Sequence, residues 1–180
     1  NVLPVVSSVT NAGPVVEGSP VALAATGSDV AADPLSWSWS LGDGTTDVGA
    51  SISHVYADDG SFVAVATADD GDGGTASGST TVLVTNGPPV IASVSNDGPR
   101  GEGATVTFAV SASDPGGAAD PLTMAWDFGD GTAGAGVAPT HIYADDGTFT
   151  ATVTVTDDEG ASVVGSTSVT ITNVAPTVTS

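Results

Sequence analysis

The chain has 180 residues with an extreme charge balance: 21 residues are acidic, Arg100 is the one basic residue, and the formal net charge at pH 7 is −20. Nucleic acids and anionic membrane surfaces are bound by clustered cationic side chains, so this composition excludes both partners. The sequence has no run of 18 apolar residues, so no membrane insertion is predicted. The lack of Cys excludes disulfides, and abundant Val and Thr with 24 Gly and 11 Pro residues favour β-strands and turns over a helical bundle.

Alternating apolar and polar residues predict the strands of the first half of the chain. Segment 35–41 places two tryptophans and two leucines on one face and three serines on the other. Segments 62–66 and 80–84 predict two further strands. Turns rich in Gly and Asp are predicted at 42–44, 58–60 and 70–74.

The second half shows the same order of elements. Segment 122–128 alternates in the same way around Trp126, and segments 149–155 and 168–171 predict the next strands. Six or seven short strands in about 87 residues, around one central Trp, predict an immunoglobulin-like β-sandwich. The expected fold class is therefore all-β, with two such sandwiches in tandem.

Internal repetition sets the domain boundaries. The segment at 39–45 reappears at 126–132, and the segment at 54–60 reappears at 141–147. The predicted domains are 1–86 and 87–173, and residues 174–180 are predicted to begin a third repeat. We therefore expect the natural polypeptide to continue beyond both ends of this sequence.

The repeated motifs carry a family resemblance. WDFGDG at 126–131 is followed by HIY at 141–143, GTF at 147–149 and VTVTDDEG at 153–160. In this order the motifs resemble the signature of the PKD (polycystic kidney disease) domain, and the resemblance covers nearly the whole chain, twice. The first copy departs from the signature at Ser40 and Leu41, where the second has Asp and Phe.

The resemblance implies a tandem PKD segment of a bacterial or archaeal protein that lies outside the cell or on its surface. Such modules act as spacers, adhesion units or accessory modules beside secreted proteases and chitinases, and they are not enzymes. We accordingly expect no catalytic residues in this chain.

The resemblance also implies bound Ca²⁺ near one end of each sandwich. Position by position, the ligands implied for the second copy are Asn86, Asp114, Asp120 and Asp157. The ligands implied for the first copy are Asn1, Asp29, Asp33 and Asp70. The alternative is that these acidic residues only form turns in solvated loops, since their local spacing is not that of a calcium-binding EF-hand.

Other residues that suggest chemistry have simpler interpretations. His54 and His141 occur once per repeat, which favours a structural hydrogen bond beside Tyr56 or Tyr143 over a catalytic or metal-binding role. The Asp of each Gly-Asp-Gly segment fits a tight turn after a buried strand. Trp37 is interpreted as a core residue, and the alternative is an exposed platform for a sugar.

The predicted function is a structural or adhesive repeat of a long extracellular surface protein, stalk or filament, stabilised by calcium. Its partners would be neighbouring copies of the repeat, through exposed sheet edges in a homopolymeric filament, or other surface proteins. The alternative function is an accessory module of a secreted hydrolase that binds polysaccharide or protein substrate and presents it to a catalytic domain. The full-length gene distinguishes the two, since many further repeats favour the fibre.

Overall fold

Residues 2–30 and 34–176 are described by the computed structural model, and every regular element in these ranges is a β-strand. The chain divides into two units, Asn1–Gly87 and Pro88–Ser180, which we call the first and second modules. The described ranges hold no helix with the length and apolarity that crossing a membrane requires. The predicted all-β fold with two β-sandwiches is confirmed.

Eight strands build the first module. In chain order they are β1 (Val5–Asn11), β2 (Val15–Val16), β3 (Pro20–Ser28), β4 (Ser36–Ser40), β5 (Thr46–Val48), β6 (Ser51–Val55), β7 (Gly60–Asp69) and β8 (Thr75–Thr85). They form a three-stranded sheet in the order β1-β3-β6 and a five-stranded sheet in the order β2-β8-β7-β4-β5. All pairs are antiparallel except β2 with β8, in which Val15 lies beside Val84.

The second module repeats this topology. Its strands are β9 (Val90–Asn96), β10 (Arg100–Gly101), β11 (Thr105–Ser113), β12 (Thr123–Asp127), β13 (Ala133–Ala135), β14 (Thr140–Ile142), β15 (Gly147–Thr156) and β16 (Ser162–Thr172). The sheets have the orders β14-β11-β9 and β10-β16-β15-β12-β13. The parallel pair of this module is β10 with β16.

Each module has eight strands where the sequence predicted six or seven. The additional elements are short, since β2 and β10 have two residues and β5 and β13 have three. A strand of two or three residues is too short to show an alternating pattern, so its pairing partner defines it.

The core of each module lies between its two sheets and surrounds one fully buried tryptophan. Trp39 and Trp126 are each 2% exposed, as the alternating pattern predicted. Trp37 packs against the edge of the first core together with Phe62. This contact agrees with the interpretation of Trp37 as a core residue rather than as a platform for a sugar.

Two hydrogen bonds brace each module: a buried bond from a tyrosine runs from one sheet to the other, and a part-buried bond from the tryptophan holds the segment that links the sheets. In the first module the Tyr56 hydroxyl donates to the carbonyl of Leu41 at 2.9 Å, and the Trp39 indole N–H donates to the carbonyl of Gly49 at 2.9 Å. The second module repeats them with Tyr143 and Phe128 at 2.9 Å and with Trp126 and Gly136 at 3.0 Å. We call each pair of bonds the inter-sheet clasp.

The turn after β4 and β12 begins with a glycine that no other residue can replace without strain. Gly129 has a φ of +81°, and a Cβ atom built on it would lie 2.5 Å from the carbonyl oxygen of Thr150. Gly42 occupies the same place in the first module, with a φ of +87°. A Cβ atom built on it would lie 2.9 Å from the backbone nitrogen and oxygen of Val63. The neighbouring strand therefore passes directly over the turn, and glycine is needed for space as well as for conformation.

We predict that Gly129→Ala lowers the free energy of unfolding of the second module more than Gly131→Ala does. Gly131 has a similar φ of +87°, but a Cβ atom on it would meet no other atom within 4 Å, so it is a matched control. The control incurs only the conformational cost of about 1–2 kcal/mol, whereas Gly129→Ala must also displace β15, which adds at least about 1 kcal/mol. Urea unfolding followed by hydrogen-exchange mass spectrometry measures the modules separately. Equal costs would contradict the close approach of β15.

Candidate metal centre

The predicted calcium ligands lie at strand ends. In the second module Asp114 directly follows β11, Asp157 directly follows β15, and Asp120 lies in the loop before β12. Asn86 directly follows β8 and belongs to the first module. Because β11 and β15 run through the whole sandwich, the residues that follow them are presented at its ends rather than on its faces.

Asp114 and Asp120 come close together. Carboxylate oxygens of the two residues lie within 4.8 Å of each other, and an oxygen of Glu159 lies within the same distance of one from Asp120. Asp120 is only 1% exposed. Asp114 uses Oδ1 to accept the N–H of Gly116 at 3.0 Å, while its buried Oδ2 has no hydrogen-bond partner among the described residues. We refer to Asp114, Asp120 and Glu159 as the acidic loop group.

Asp157 also organises its own turn. Its Oδ1 accepts the N–H of Ala161 at 2.7 Å, and its backbone N–H donates to the carbonyl of Ala161 at 3.1 Å. The residue is 4% exposed. The turn thus holds a carboxylate at the end of the sandwich in a fixed orientation, which is the arrangement that a metal ligand requires.

The first module shows two of the four residues implied for its site. Asp29 accepts the N–H of Val30 at 2.7 Å through Oδ1, and its buried Oδ2 has no hydrogen-bond partner within residues 2–30 and 34–176. Asp70 is 6% exposed, and its Oδ1 accepts the N–H groups of Asp72 and Gly74, each at 2.8 Å. Asn1 and Asp33 lie outside the described residues.

These residues fit a hard divalent cation. Ca²⁺ takes about six to eight oxygen ligands, and every donor in the acidic loop group is a carboxylate oxygen. A buried carboxylate oxygen without a donor is costly in a protein, and such atoms occur at Asp29 and at Asp114, which are equivalent positions of the two modules. A cation would satisfy both atoms.

The histidines hold the Gly-Asp-Gly turns. His141 Nε2 lies 2.6 Å from Asp130 Oδ2, and the Thr132 hydroxyl donates directly to Asp130 Oδ1 at 2.6 Å. A nucleophilic triad places the histidine between the hydroxyl and the carboxylate, whereas here the hydroxyl donates directly to the carboxylate and lies farther, at 3.3 Å, from His141 Nε2. The ring of His141 also packs edge-on against Tyr143 at 4.5 Å. The first module repeats the arrangement with Asp43, Thr45, His54 and Tyr56.

The electrostatics of this turn agree with a structural role. Partial burial is the largest influence and acts to raise the pKa of Asp130, but hydrogen bonds from Thr132 and His141 outweigh it and hold the pKa below its usual value. Asp43 is lowered in pKa by the same set of contacts. Burial raises the pKa of Tyr143 to about 12, so its hydroxyl remains a neutral donor at any physiological pH.

Sequence reasoning did not identify the roles of two polar side chains that repeat in both modules. Asn11 donates to Thr80 Oγ1 at 2.7 Å and accepts the N–H of Gly13 at 2.9 Å, and Asn96 makes the equivalent bonds in the second module. Glu17 accepts the N–H of Gly87 at 2.6 Å, and Glu102 accepts that of Val174 at 3.0 Å. The available signal was the recurrence of these residues at matching positions of the two copies.

Several solved structures are similar to parts of this chain. The PKD1 domain of Vibrio anguillarum Epp is 28% identical, with a TM-score of 0.41, over 48% of this chain and 96% of that domain. The PKD1 domain of the Vibrio cholerae metalloprotease PrtV is 29% identical, with a TM-score of 0.39, over 47% of this chain and 96% of that domain. The PKD domain of an M14-like peptidase from a Thermoplasmatales archaeon is 26% identical, with a TM-score of 0.43, over 48% of this chain and 98% of that domain.

Sequence comparisons give the family. A microbial collagenase from Vibrio alginolyticus is 36% identical over 80 residues, which make up 43% of this chain and 9% of the collagenase. The PKD domain family matches residues 1–85 and again residues 86–172. The chain therefore belongs to the PKD domain family and contains two consecutive members of it.

Proposed function

We propose that this chain is a structural segment of a longer extracellular surface protein, in which PKD modules follow one another as spacer units of a stalk or filament. PKD domains are non-catalytic modules. Each module here closes its own core with its own clasp, so each can serve as one unit of an array. The partners in this proposal are neighbouring copies of the repeat or other surface proteins.

The observation that carries the proposal is the parallel pairing of a strand near the start of each module with its last strand. In the first module β2 pairs with β8, and in the second β10 pairs with β16. Tension between the two ends of a module pulls such strands in opposite directions along their length. The bonds between them are then loaded together rather than one after another, which is the arrangement that suits a spacer under tension.

Single-molecule pulling on the 180-residue chain, with handles at its two ends, tests this proposal. We expect two discrete unfolding steps, each releasing roughly 30 nm of chain, because each module has to fail as a unit. Gradual extension without discrete steps would contradict a role as a spacer that resists tension.

Calcium stabilisation is part of the same proposal. In the second module the ion would be held by Asp114 and Asp120, together with Asp157 at the same end of the strands. In the first module it would be held by Asp29 and Asp70. The ion would supply positive charge and cross-link the loops that carry these carboxylates. Its removal would leave several carboxylates facing one another in a chain whose one cationic side chain, Arg100, is paired with Asp97 at 2.6 Å.

We predict that millimolar calcium raises the melting temperature of the chain relative to chelator. At 100 times the dissociation constant a ligand adds about 2.7 kcal/mol, and each kcal/mol corresponds to roughly 4–8 °C for a domain of this size. The control contains NaCl at matched ionic strength, because any salt screens the net charge of −20. Asp29→Asn/Asp114→Asn should lose part of the increase. An unchanged melt of the wild type would remove calcium from the proposal.

The match to a microbial collagenase favours a second candidate function. In it the modules are accessory segments of a secreted hydrolase and bind its protein or polysaccharide substrate. Co-sedimentation of the chain with insoluble collagen or chitin distinguishes the candidates, because a spacer remains in the supernatant. Retention on either material would favour the accessory function.

A further inference from the structure

The outer face of the five-stranded sheet in the first module carries a set of exposed aliphatic side chains. Val48, Val63 and Leu83 point away from the core and are 74%, 52% and 52% exposed. Val65 follows Val63 on the same face of β7, and Leu83 lies diagonal to Val63 across the pair of β7 with β8. Diagonal neighbours in a sheet are close enough for long side chains to touch. We call these four residues the aliphatic patch.

The second module shows that the fold does not require this patch. Its five-stranded sheet has the same strand order and register, so each patch residue has an equivalent on the same outer face. The equivalent residues, in the same order, are Ala135, Thr150, Thr152 and Thr170. Exposed aliphatic side chains that a sister copy replaces by Thr and Ala are not needed for packing. Such a group indicates a surface that contacts a partner.

A groove crosses the patch. Its floor is β4, where Ser40 lies opposite Val65 on one side and Ser38 lies opposite Val48 on the other. Short serine side chains between two valines leave a depression of about 610 Å³. Val63 lies next to Val65 along β7 and projects beside this groove. One face therefore has both a groove and projecting side chains, which are the two elements of a self-complementary contact.

Charge restricts what can occupy this face. Two copies of a chain with a net charge of −20 repel each other, so they can approach closely only through surfaces that lack acidic groups. The polar lining of the groove consists of hydroxyl side chains apart from Asp47, whose Oδ1 already accepts the N–H of Val48 at 2.8 Å. A second copy presents a matching uncharged patch by construction.

The groove does not suit a sugar. Protein sites for sugars commonly offer an aromatic ring whose apolar face is open to the ligand. Trp39 lines the groove, but it is only 2% exposed and its indole N–H is bound to Gly49, so its ring is closed to a ligand. An aliphatic and hydroxyl surface instead suits the packing of one sheet on another.

The size of the face sets the strength of such a contact. The patch spans β8, β7, β4 and β5, which are neighbours in the sheet. Four strands at about 4.8 Å spacing, over about seven residues at about 3.3 Å each, give roughly 450 Å² per copy. Two copies then bury roughly 900 Å², which is less than the 1,200 Å² or so of a stable interface. A single pair is therefore weak.

We propose that the aliphatic patch of the first module binds the same patch on a second copy of this chain. The two sheets pack face to face about a two-fold axis, and Val63 and Leu83 of each copy meet the groove of the other. This inference rests on the proposed array of modules, because a weak contact is effective where many repeats lie side by side and bind together.

Nuclear magnetic resonance of the 180-residue chain in chelator, recorded over a dilution series, tests the proposal. Amide resonances of the aliphatic patch should shift between about 20 µM and about 1 mM protein, and the shifts give the dissociation constant. Val63→Thr/Leu83→Thr should raise this constant more than roughly tenfold, because each substitution acts twice in a two-fold contact. Both replacements are the residues that the second module has at these positions, so we expect the fold to be retained.

Two variants serve as controls. Val90→Thr/Val137→Thr removes two valines that are each 58% exposed outside the patch, and it should leave the dissociation constant unchanged. Thr150→Val/Thr170→Leu transfers part of the patch to the second module, and it should produce concentration-dependent shifts on that module as well. The melting temperature of Val63→Thr/Leu83→Thr should match that of the wild type, which separates loss of contact from loss of fold.

Salt and sugar distinguish a second copy from other occupants. Added NaCl should lower the dissociation constant, because it screens the repulsion between copies, whereas a contact held by ion pairs would weaken. Resonances that do not change up to about 1 mM protein, or equal constants for the wild type and Val63→Thr/Leu83→Thr, would overturn the proposal. Patch shifts caused by chitohexaose or cellohexaose in a chain that stays monomeric would also overturn it. Pulling on single molecules does not involve this contact, so its failure leaves the spacer function standing.

Discussion

The inter-sheet clasp is the constraint on which the rest of each module depends. A tyrosine hydroxyl crosses the core to the backbone carbonyl at the end of the tryptophan strand, and the tryptophan indole bonds back to the chain before the next strand. The tyrosine bond joins the two sheets, and the tryptophan bond anchors the segment through which the chain passes from one sheet to the other. They also hold the Gly-Asp-Gly turn in place, on which the histidine and aspartate then pair.

Polar residues are divided between the interior and the ends of the modules. Those near the clasp are satisfied by protein groups, as Asp130 is by Thr132 and His141. Those at the strand ends include carboxylate oxygens that no described residue satisfies, as at Glu17 and Asp114. The middle of each module is therefore complete on its own, whereas its ends carry carboxylate oxygens that a cation would satisfy. This division suits a repeat whose units are joined end to end.

Much of the fold could be predicted from the sequence because its signals are local. The alternation around Trp126 gives a strand with one inward face, and the repetition of whole motifs predicts two similar sandwiches. The two-residue strand β10 could not be predicted, because its pairing with β16 depends on residues about 70 positions away. Asp114 and Asp120 were predicted as calcium ligands from the family resemblance. The approach of the Glu102 carboxylate to that of Asp145 could not be predicted, because only the fold brings these distant residues together.

On this structure the clasp, rather than any surface feature, holds the two sheets of a module together. Tyr143→Phe tests it most directly, because it removes one hydroxyl and leaves the carbonyl of Phe128 without this donor in a buried environment. Hydrogen-exchange mass spectrometry in urea should show the second module destabilised by about 1–3 kcal/mol, with the first module unaffected. Unchanged stability of the second module would contradict the account.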